Sequence, residues 1–356
     1  MSCALFGICG GCDAWDLSTA DKRIREENLL RVLSGYAGEI HHADTPAWEF
    51  RDKLDFSISH GRVGLAGLDS PEVVDVQRCP LLTPALQSWL TAFRATVPMT
   101  ADKISVRLRV APDGARGVWL RLGHESIKHW LEEGQWWEAL RGLAHFEVGE
   151  RLKPVLAQGK LAKRPALHPW FTTFTGAELV PTPLWGHVGS FTQTGSAPNR
   201  ALVSAVRALL PASAGTAIEL FAGLGNFTLP LASLGWQVEA YELRPHASLA
   251  LRTSLAGHPW AKRVRFTTGN LYGEALPIIS GYDLMLVDPP RSGLGATLLR
   301  GLAQGPATLI YVSCDTASFA ADAVALTEHG YRLERLTGVD QFPHTRRTEW
   351  VGRFVR

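Results

Sequence analysis

Beyond about residue 190, five short runs, "AIELF", "WQVEAYE", "VRFTTG", "YDLMLVD" and "ATLIYVS", each lead into a turn and then a helix-compatible stretch. Strands separated by helices return to the same end of a sheet and so lie parallel. The pattern predicts an α/β domain, a parallel sheet wrapped by helices, with ligands at the C-terminal edge of its strands. The last two strand-like runs, "YRLERLTGV" and "TEWVGRFV", follow one another without a long helix, which predicts an antiparallel hairpin closing the sheet.

The first half has another rhythm. "STADKRIREENLLRVLSGY" offers Ser18 as N-cap with Asp21 three residues on, and Ile24, Leu29, Leu30 and Leu33 at spacings that share one side of a helix. "KLDFSI" turning at "SHGR", and "KISVRLRV" with "VWLRL" around "APDGARG", predict hairpins. A small α+β domain over 1–185 and a second domain over 186–356 account for the 356 residues. Nine of the 12 tryptophans precede residue 186, and buried core is the expected place for most of them.

With 46% apolar and 20% charged residues the chain is not a disordered one. It opens with no basic-then-apolar leader and has no apolar run near the roughly 20 residues of a membrane span, so the expectation is a cytoplasmic protein without a membrane partner. In a reducing compartment, clustered cysteines are metal or cluster ligands. "CALFGICGGC" holds Cys3, Cys9 and Cys12; Cys79 and Cys314 are distant, and a total of five fits four ligands plus one. Thiolate ligands suit either Zn²⁺ or an iron-sulfur cluster, and the chemistry does not choose between them. A net charge of +2 argues for no polyanionic partner, but Arg151, Lys153, Lys160, Lys163 and Arg164 fall in a stretch to Ala177 without one acid. Such a run can follow a phosphate backbone, although a solvated basic face is its commoner cause.

In "IELFAGLGNFTLPLA" a strand runs into Gly223 and Gly225, which let the backbone approach a ligand. A dinucleotide fingerprint needs a third glycine, and Asn226, Phe227 and Thr228 stand there instead. The next strand ends in Glu242, placed to accept ribose hydroxyls. Together these point to S-adenosylmethionine, against the plainer alternative of turn glycines and a solvated acid. "LMLVDPPRSGL" ends a strand at Asp288, and Arg291 after the prolines, where an aromatic would stack on an amine-bearing base, argues against amino-group methylation. "LIYVSCDTASFA" places Cys314 just past a strand at the same edge, before a helix starting near Thr316; a small buried hydrophobe is its plain alternative. "DQFPHTRRTEWVGRF" brings His344 and Glu349 into a loop entering the last strand.

These residues resemble the S-adenosylmethionine-dependent RNA 5-methyluridine methyltransferases, through "SFTQTGSAPN", "ELFAGLGNFTLPLA", "DPPRSGL", "YVSCDTASFAADAVAL" and "FPHTRRTE". The resemblance implies a Rossmann-like class I methyltransferase domain behind an N-terminal α+β iron-sulfur and RNA-binding domain. It makes Cys314 the nucleophile on C6 of uracil and Glu349 the base that takes the C5 proton. Gln193, Phe221, Gly223, Gly225, Asn226, Glu242, Asn270 and Asp288 then lie around the cofactor, with Asp288 placed to meet cofactor or base, and His344 has no firm role. Cys3, Cys9, Cys12 and Cys79 resemble the [4Fe-4S] ligand set of the iron-sulfur members, ahead of zinc. Because the chain starts at the cysteines and carries no N-terminal barrel, it looks like the shorter type acting on 23S ribosomal RNA at uracil 747, with transfer RNA as the other substrate. A monomer is expected. An RNA-binding iron-sulfur protein without catalysis is the competing reading, and the presence of both Cys314 and Glu349 speaks against it. "TRRTE" departs from the usual pairing before the glutamate.

Overall fold

The computed structural model describes residues 2–96, 104–121, 138–150, 153–158, 160–162, 166–272 and 277–356. Two compact units emerge, neither continuous in sequence. The first takes Met1–Trp15, Pro46–Thr172 and Trp185–Ser196, and the second Asp16–Thr45, Thr173–Leu184 and Ala197–Arg356. The single expected boundary at 185/186 therefore differs from what the fold draws. Asp16–Thr45 belongs to the second unit because Ile40–Ala43 pairs in parallel with Arg332–Val339, and because helix Thr19–Ser34 packs on helix Thr316–Glu328.

In the first unit eight strands run in the spatial order Val73–Asp75, Arg62–Ala66, Lys53–Ser59, Ile104–Val110, Arg116–Arg121, His145–Glu150, Lys153–Ala157, Lys160–Leu161. The expected hairpins are there: Lys53–Ser59 pairs antiparallel with Arg62–Ala66, and Ile104–Val110 with Arg116–Arg121. Along the first of these strands Leu54, Phe56 and Ile58 are buried while Asp55 is exposed, the period-two alternation of a sheet with one covered face. The cover is helix Pro84–Thr96, whose Leu86, Trp89, Leu90 and Phe93 join the core. Trp89, Trp119 and Trp170 are core residues, but Trp15, Trp48 and Trp185 are only half-buried, and Trp130, Trp136 and Trp137 lie outside the described residues. Of the basic stretch, Lys160 is exposed, whereas Arg151, Lys163 and Arg164 lie outside the described residues.

The second unit carries eight strands in the order Ile40–Ala43, Arg332–Val339, Glu349–Val355, Thr308–Ser313, Leu284–Val287, Thr216–Leu220, Gln237–Glu242, Val264–Thr268. The last five in that order are mutually parallel, as the strand-turn-helix rhythm requires. The C-terminal hairpin forms but does not close the sheet. Glu349–Val355 is inserted between Thr308–Ser313 and Arg332–Val339, and the early strand Ile40–Ala43 takes the edge. No helix among the described residues is long and apolar enough to cross a membrane.

Helix Thr19–Ser34 is capped as expected, Ser18 Oγ accepting from Asp21 N at 3.1 Å. Its buried face corrects the expected apolar one. Lys22, Glu26 and Leu30, at i, i+4 and i+8, are buried, while Ile24 and Val32 are 58% and 82% exposed and Leu33 is exposed as well. The reason is a polar seam that periodicity cannot foresee. Glu26 Oε2 accepts from Thr316 Oγ1 at 2.6 Å, that oxygen accepts from Trp350 Nε1 at 2.9 Å, and Lys22 pairs with Asp340 and donates to the Phe342 carbonyl at 3.0 Å.

Breaking this seam leaves buried polar groups unpaired, so Glu26→Ala is expected to cost about 2 kcal/mol in urea unfolding. Ile24→Ala should stay within about 0.5 kcal/mol. The reverse order would show that the helix docks by its apolar side.

Candidate active site

The glycine loop follows strand Thr216–Leu220 and uses left-handed backbone three times, at Phe221 (φ 64°), Gly223 (φ 57°) and Gly225 (φ 95°). A Cβ on Gly225 would stand 2.4 Å from Leu251 Cδ1 and 2.8 Å from Leu229 Cδ1, so only glycine fits there. A Cβ on Gly223 would meet nothing within 4 Å, which leaves that side of the loop open to a ligand. Non-glycine Phe221 in this conformation is strained backbone of the kind that clusters at binding sites.

Glu242 holds the loop from the next strand. Its Oε2 accepts from Gly223 N at 3.1 Å and its Oε1 from Arg244 N at 3.2 Å, and a carboxylate has further lone pairs for a ribose. Asn226 is clasped to the buried Asn199 by two reciprocal amide bonds of 2.8 and 2.9 Å, and its carbonyl accepts from Thr173 Oγ1 at 2.7 Å. Asn270 Oδ1 accepts from Tyr272 N at 3.1 Å, and the Tyr272 ring lies 5.5 Å from that of Phe221. Glycine loop, acid, amide and aromatic thus gather along the C-terminal ends of neighbouring parallel strands. Gln193 belongs to the other compact unit, where it is buried; the preceding Thr192 is held there by Arg109 at 2.9 Å and by Lys53.

Three further groups reach the same edge from separate strands. Asp288 follows Leu284–Val287, Cys314 follows Thr308–Ser313, and Glu349 begins Glu349–Val355, whose Trp350 pairs with Ser313. The Cys314 thiol is pushed up to about 11, first by burial and then by the Glu349 carboxylate, while Arg291 beside it pulls down by charge and hydrogen bonding. Glu349 is only 2% exposed and its Oε2 has no hydrogen-bond partner; burial and then Asp288 raise it well above the usual carboxylate range, with Arg291 opposing. Asp288 is raised by burial to about 7. In the free protein the nucleophile and base candidates are therefore both held towards their protonated forms.

Sequence reasoning missed two members. Arg291 entered only as a sign against amino-group chemistry, yet it faces both Cys314 and Glu349, and its carbonyl accepts from Ser318 Oγ at 2.6 Å in the first turn of helix Thr316–Glu328. Glu219 is an acid in the apolar run "AIELF", a visible signal in itself. It is fully buried, its Oε2 has no hydrogen-bond partner, and burial followed by Asp288 and Glu242 raises it to about 8. His344 sits in the turn after Asp340 with φ 64°.

In the first unit the four remaining cysteines, Cys3, Cys9, Cys12 and Cys79, line one pocket with Arg51 and Arg78, and no carboxylate or imidazole is among its walls. The segment carrying the first three is stitched to strand Arg62–Ala66, Gly10 N donating to Ala66 O and Leu68 N to Ile8 O, both at 2.9 Å. A Cβ on Gly10 would lie 2.9 Å from that carbonyl oxygen, which explains the glycine. Burial raises Cys9, Cys12 and Cys79, Cys12 to about 12, with neighbouring thiols adding and Arg51 opposing at Cys12 and Cys79. Among the described residues no three His, Cys, Asp or Glu side chains are arranged to hold a metal ion.

Residues 279–354 match the family described as tRNA (Uracil-5-)-methyltransferase. An RNA methyltransferase of Bdellovibrio bacteriovorus is 35% identical over 92% of this chain and 84% of its own. The 23S rRNA (uracil(1939)-C(5))-methyltransferase of Thiobacillus denitrificans is 31% identical over 99% of this chain and 85% of its own. The crystal structure of the Pyrococcus abyssi tRNA (uracil-54, C5)-methyltransferase with S-adenosyl-L-homocysteine shares the fold, with a TM-score of 0.71 and 20% identity over 100% of this chain and 87% of that one. Similarity of this extent, along a chain whose sheet edge carries a donor loop beside a thiol and a buried acid, makes it a member of the S-adenosylmethionine-dependent RNA (uracil-C5) methyltransferases, which methylate uridine at C5 in RNA.

Proposed function

We propose that the uridine lies in 23S ribosomal RNA and is methylated through a covalent adduct of Cys314, with Glu349 as base. The observation that carries this reading is that paired strands bring Cys314 and Glu349 to the edge that holds the glycine loop, where Glu349 raises the thiol and Arg291 opposes the rise at both. The 23S substrate follows the relative that is similar along nearly the whole chain, whose named target is uracil 1939. That relative offers no support for position 747.

C5 of uracil is a weak nucleophile. The Cys314 thiol gives its proton to water, Sγ bonds to C6, and the C5=C6 electron pair moves through C5 to O4 as an enolate. A thiol at about 11 is about one part in 10⁴ thiolate at pH 7, so the adjoining Arg291 guanidinium is needed to offset the developing negative charge. S-adenosylmethionine, when bound, supplies a methyl group activated by its sulfonium. Gly223, Gly225, Phe221, Asn226, Glu242, Asn270 and Asp288 of the second unit would hold it. Once C5 carries the methyl group, the Glu349 carboxylate takes the C5 proton, C5=C6 re-forms and Sγ departs as thiolate. The proposed nucleophile, base and cation come from one chain, which supports a monomer, and the 23S substrate supports a cytoplasmic enzyme.

For the cysteine pocket we propose a [4Fe-4S] cluster, held by Cys3, Cys9, Cys12 and Cys79, that clips the N-terminal loop to the first unit's sheet. Four soft thiols around one pocket, without the hard ligands that other ions prefer, fit this group, and Arg51 and Arg78 face the negative charge it would bring.

RNA carrying 5-fluorouridine at its target should trap the protein covalently, and Cys314→Ala should abolish the adduct; an adduct that survives removes Cys314 as nucleophile. Substrate competition between unmodified 23S and transfer RNA identifies the RNA class. Glu349 must be ionised to act, so release of the methylated adduct should speed up as pH rises through its elevated pKa. Glu349→Gln should slow that release by roughly 10²–10⁴ and flatten its pH profile; unchanged turnover excludes Glu349 as base. Anaerobically purified protein should be brown with broad absorbance near about 400 nm, lost on Cys79→Ala. A colourless, zinc-loaded protein rejects the cluster.

A further inference from the structure

The second unit has a cavity of about 530 Å³ apart from the catalytic edge, and the reaction described above leaves it without a use. Its floor is the outer pair of strands, through His41, Ala43, Arg335 and Thr337, and its wall is helix Ser196–Ala208, which turns Arg200 and Ala201 towards it.

Register ties this groove to the active site. Thr337 pairs with Val351 and Val339 with Glu349, while on the other side His41 pairs with Thr337 and Ala43 with Val339. Paired residues in a ladder point to the same face, as do residues two apart along a strand. Arg335, Thr337, His41, Ala43 and Glu349 therefore share one face of the sheet. Ala43 stands in the cross-strand row of Glu349, two strands and so about 10 Å away, and Thr337 and His41 follow one side-chain repeat, about 7 Å, further along the strands. The shift in register between Leu333 and Arg335 is a bulge, a device that re-aims a side chain.

The lining of the groove carries two arginines and one acid. That acid, Asp44, is paired with Arg23; of the flanking acids, Glu334 is paired with Arg353 at 3.1 Å and Glu39 lies 3.7 Å from His41. Arg335 donates Nη1 to the Ala208 carbonyl at 3.2 Å, and Arg200 donates Nη1 to the Leu179 carbonyl at 3.1 Å with its guanidinium over the Phe174 ring. Carbonyls anchor a guanidinium without neutralising it, and each fork has five donors. Ala197, Ala201 and Ser204 contribute only small side chains to the wall.

We propose that this groove holds the sugar-phosphate backbone of the RNA strand flanking the target uridine, with Arg335 and Arg200 as phosphate ligands. The inference deepens the reading above and rests on Glu349 marking the place of the target base. A nucleotide extruded towards Glu349 leaves its neighbours on the same face, and the groove is the cationic channel available to them there. An anchored backbone beside the site also offsets the few kcal/mol that unstacking the target costs.

The test is the salt dependence of binding between the full chain and a short fluorescent oligouridylate. Each lost phosphate contact should lower the log-log salt slope by about 0.7 and weaken binding several-fold at low salt, so Arg335→Ala and Arg200→Ala together should lower it by about 1.4. Arg335→Lys should keep the slope, and Ala201→Glu, which puts a negative charge on the wall, should weaken binding without touching either arginine. Calorimetric binding of S-adenosylmethionine should be the same in all four variants, which shows that they are folded. Unchanged slopes in the alanine variants and unchanged affinity in Ala201→Glu overturn the proposal. The fluorouridine adduct separates the two readings: trapping by the wild type with unaltered slopes removes the groove alone, whereas lowered slopes without any trapping leave the groove and remove the chemistry.

Discussion

The active edge is organised by a shortage of positive charge. Glu219, Asp288, Glu242 and Glu349 approach it from four strands, and Cys314 adds a group that must become an anion; Arg291 is the cation that bears on both thiol and base. In such a setting each ionisation raises the cost of the next, and the free protein keeps Glu219, Asp288 and Glu349 protonated beyond their usual range. A sulfonium donor held as proposed above would bring positive charge to an edge that lacks it. Arg291 is tied through its carbonyl to the first turn of the helix after Cys314, and its guanidinium opposes the rise at both the thiol and Glu349.

How much of this was legible in the sequence depended on whether the cause was local. The parallel core, the Ser18 cap and the left-handed glycines follow from periodicity, a hydroxyl before a helix and the absence of a Cβ, and all are as expected. Glu242 stands at the predicted strand tip, although the structure adds a task, since it fastens the Gly223 amide. Helix Thr19–Ser34 shows the limit. Apolar spacing placed Ile24 and Leu33 inside, yet the buried stripe is Lys22, Glu26 and Leu30, because its partners, Asp340, Thr316 and Trp350, lie about 300 residues away in the chain. A polar stripe looks like a solvent face until its partners are known.

The edge strand failed to show for a similar reason. "IHHA" carries no strand signal strong enough to stand alone, and it becomes one by pairing with Arg332–Val339. Its addition splits the N-terminal region between two units, which no composition shift announces. Glu219 differs again: the acid in an apolar strand was in plain view, but its meaning depends on Asp288 from the adjacent strand.

That edge strand also bears on substrate handling. Without it the Arg332–Val339 strand would present an unpaired edge, a place where another backbone adds easily. With it, the sheet extends one strand further on the face that carries Glu349, and the added strand brings His41 and Ala43 into the floor of the cationic groove. The same four residues thus replace a long sheet edge with a short one and widen the platform on which a nucleic acid strand can lie. The polar seam of helix Thr19–Ser34 then has a consequence beyond stability. By locking that helix to Thr316 and Trp350 it fixes the strand that follows it, so Glu26, which touches no substrate, helps to keep the groove in register with the base on which the chemistry depends.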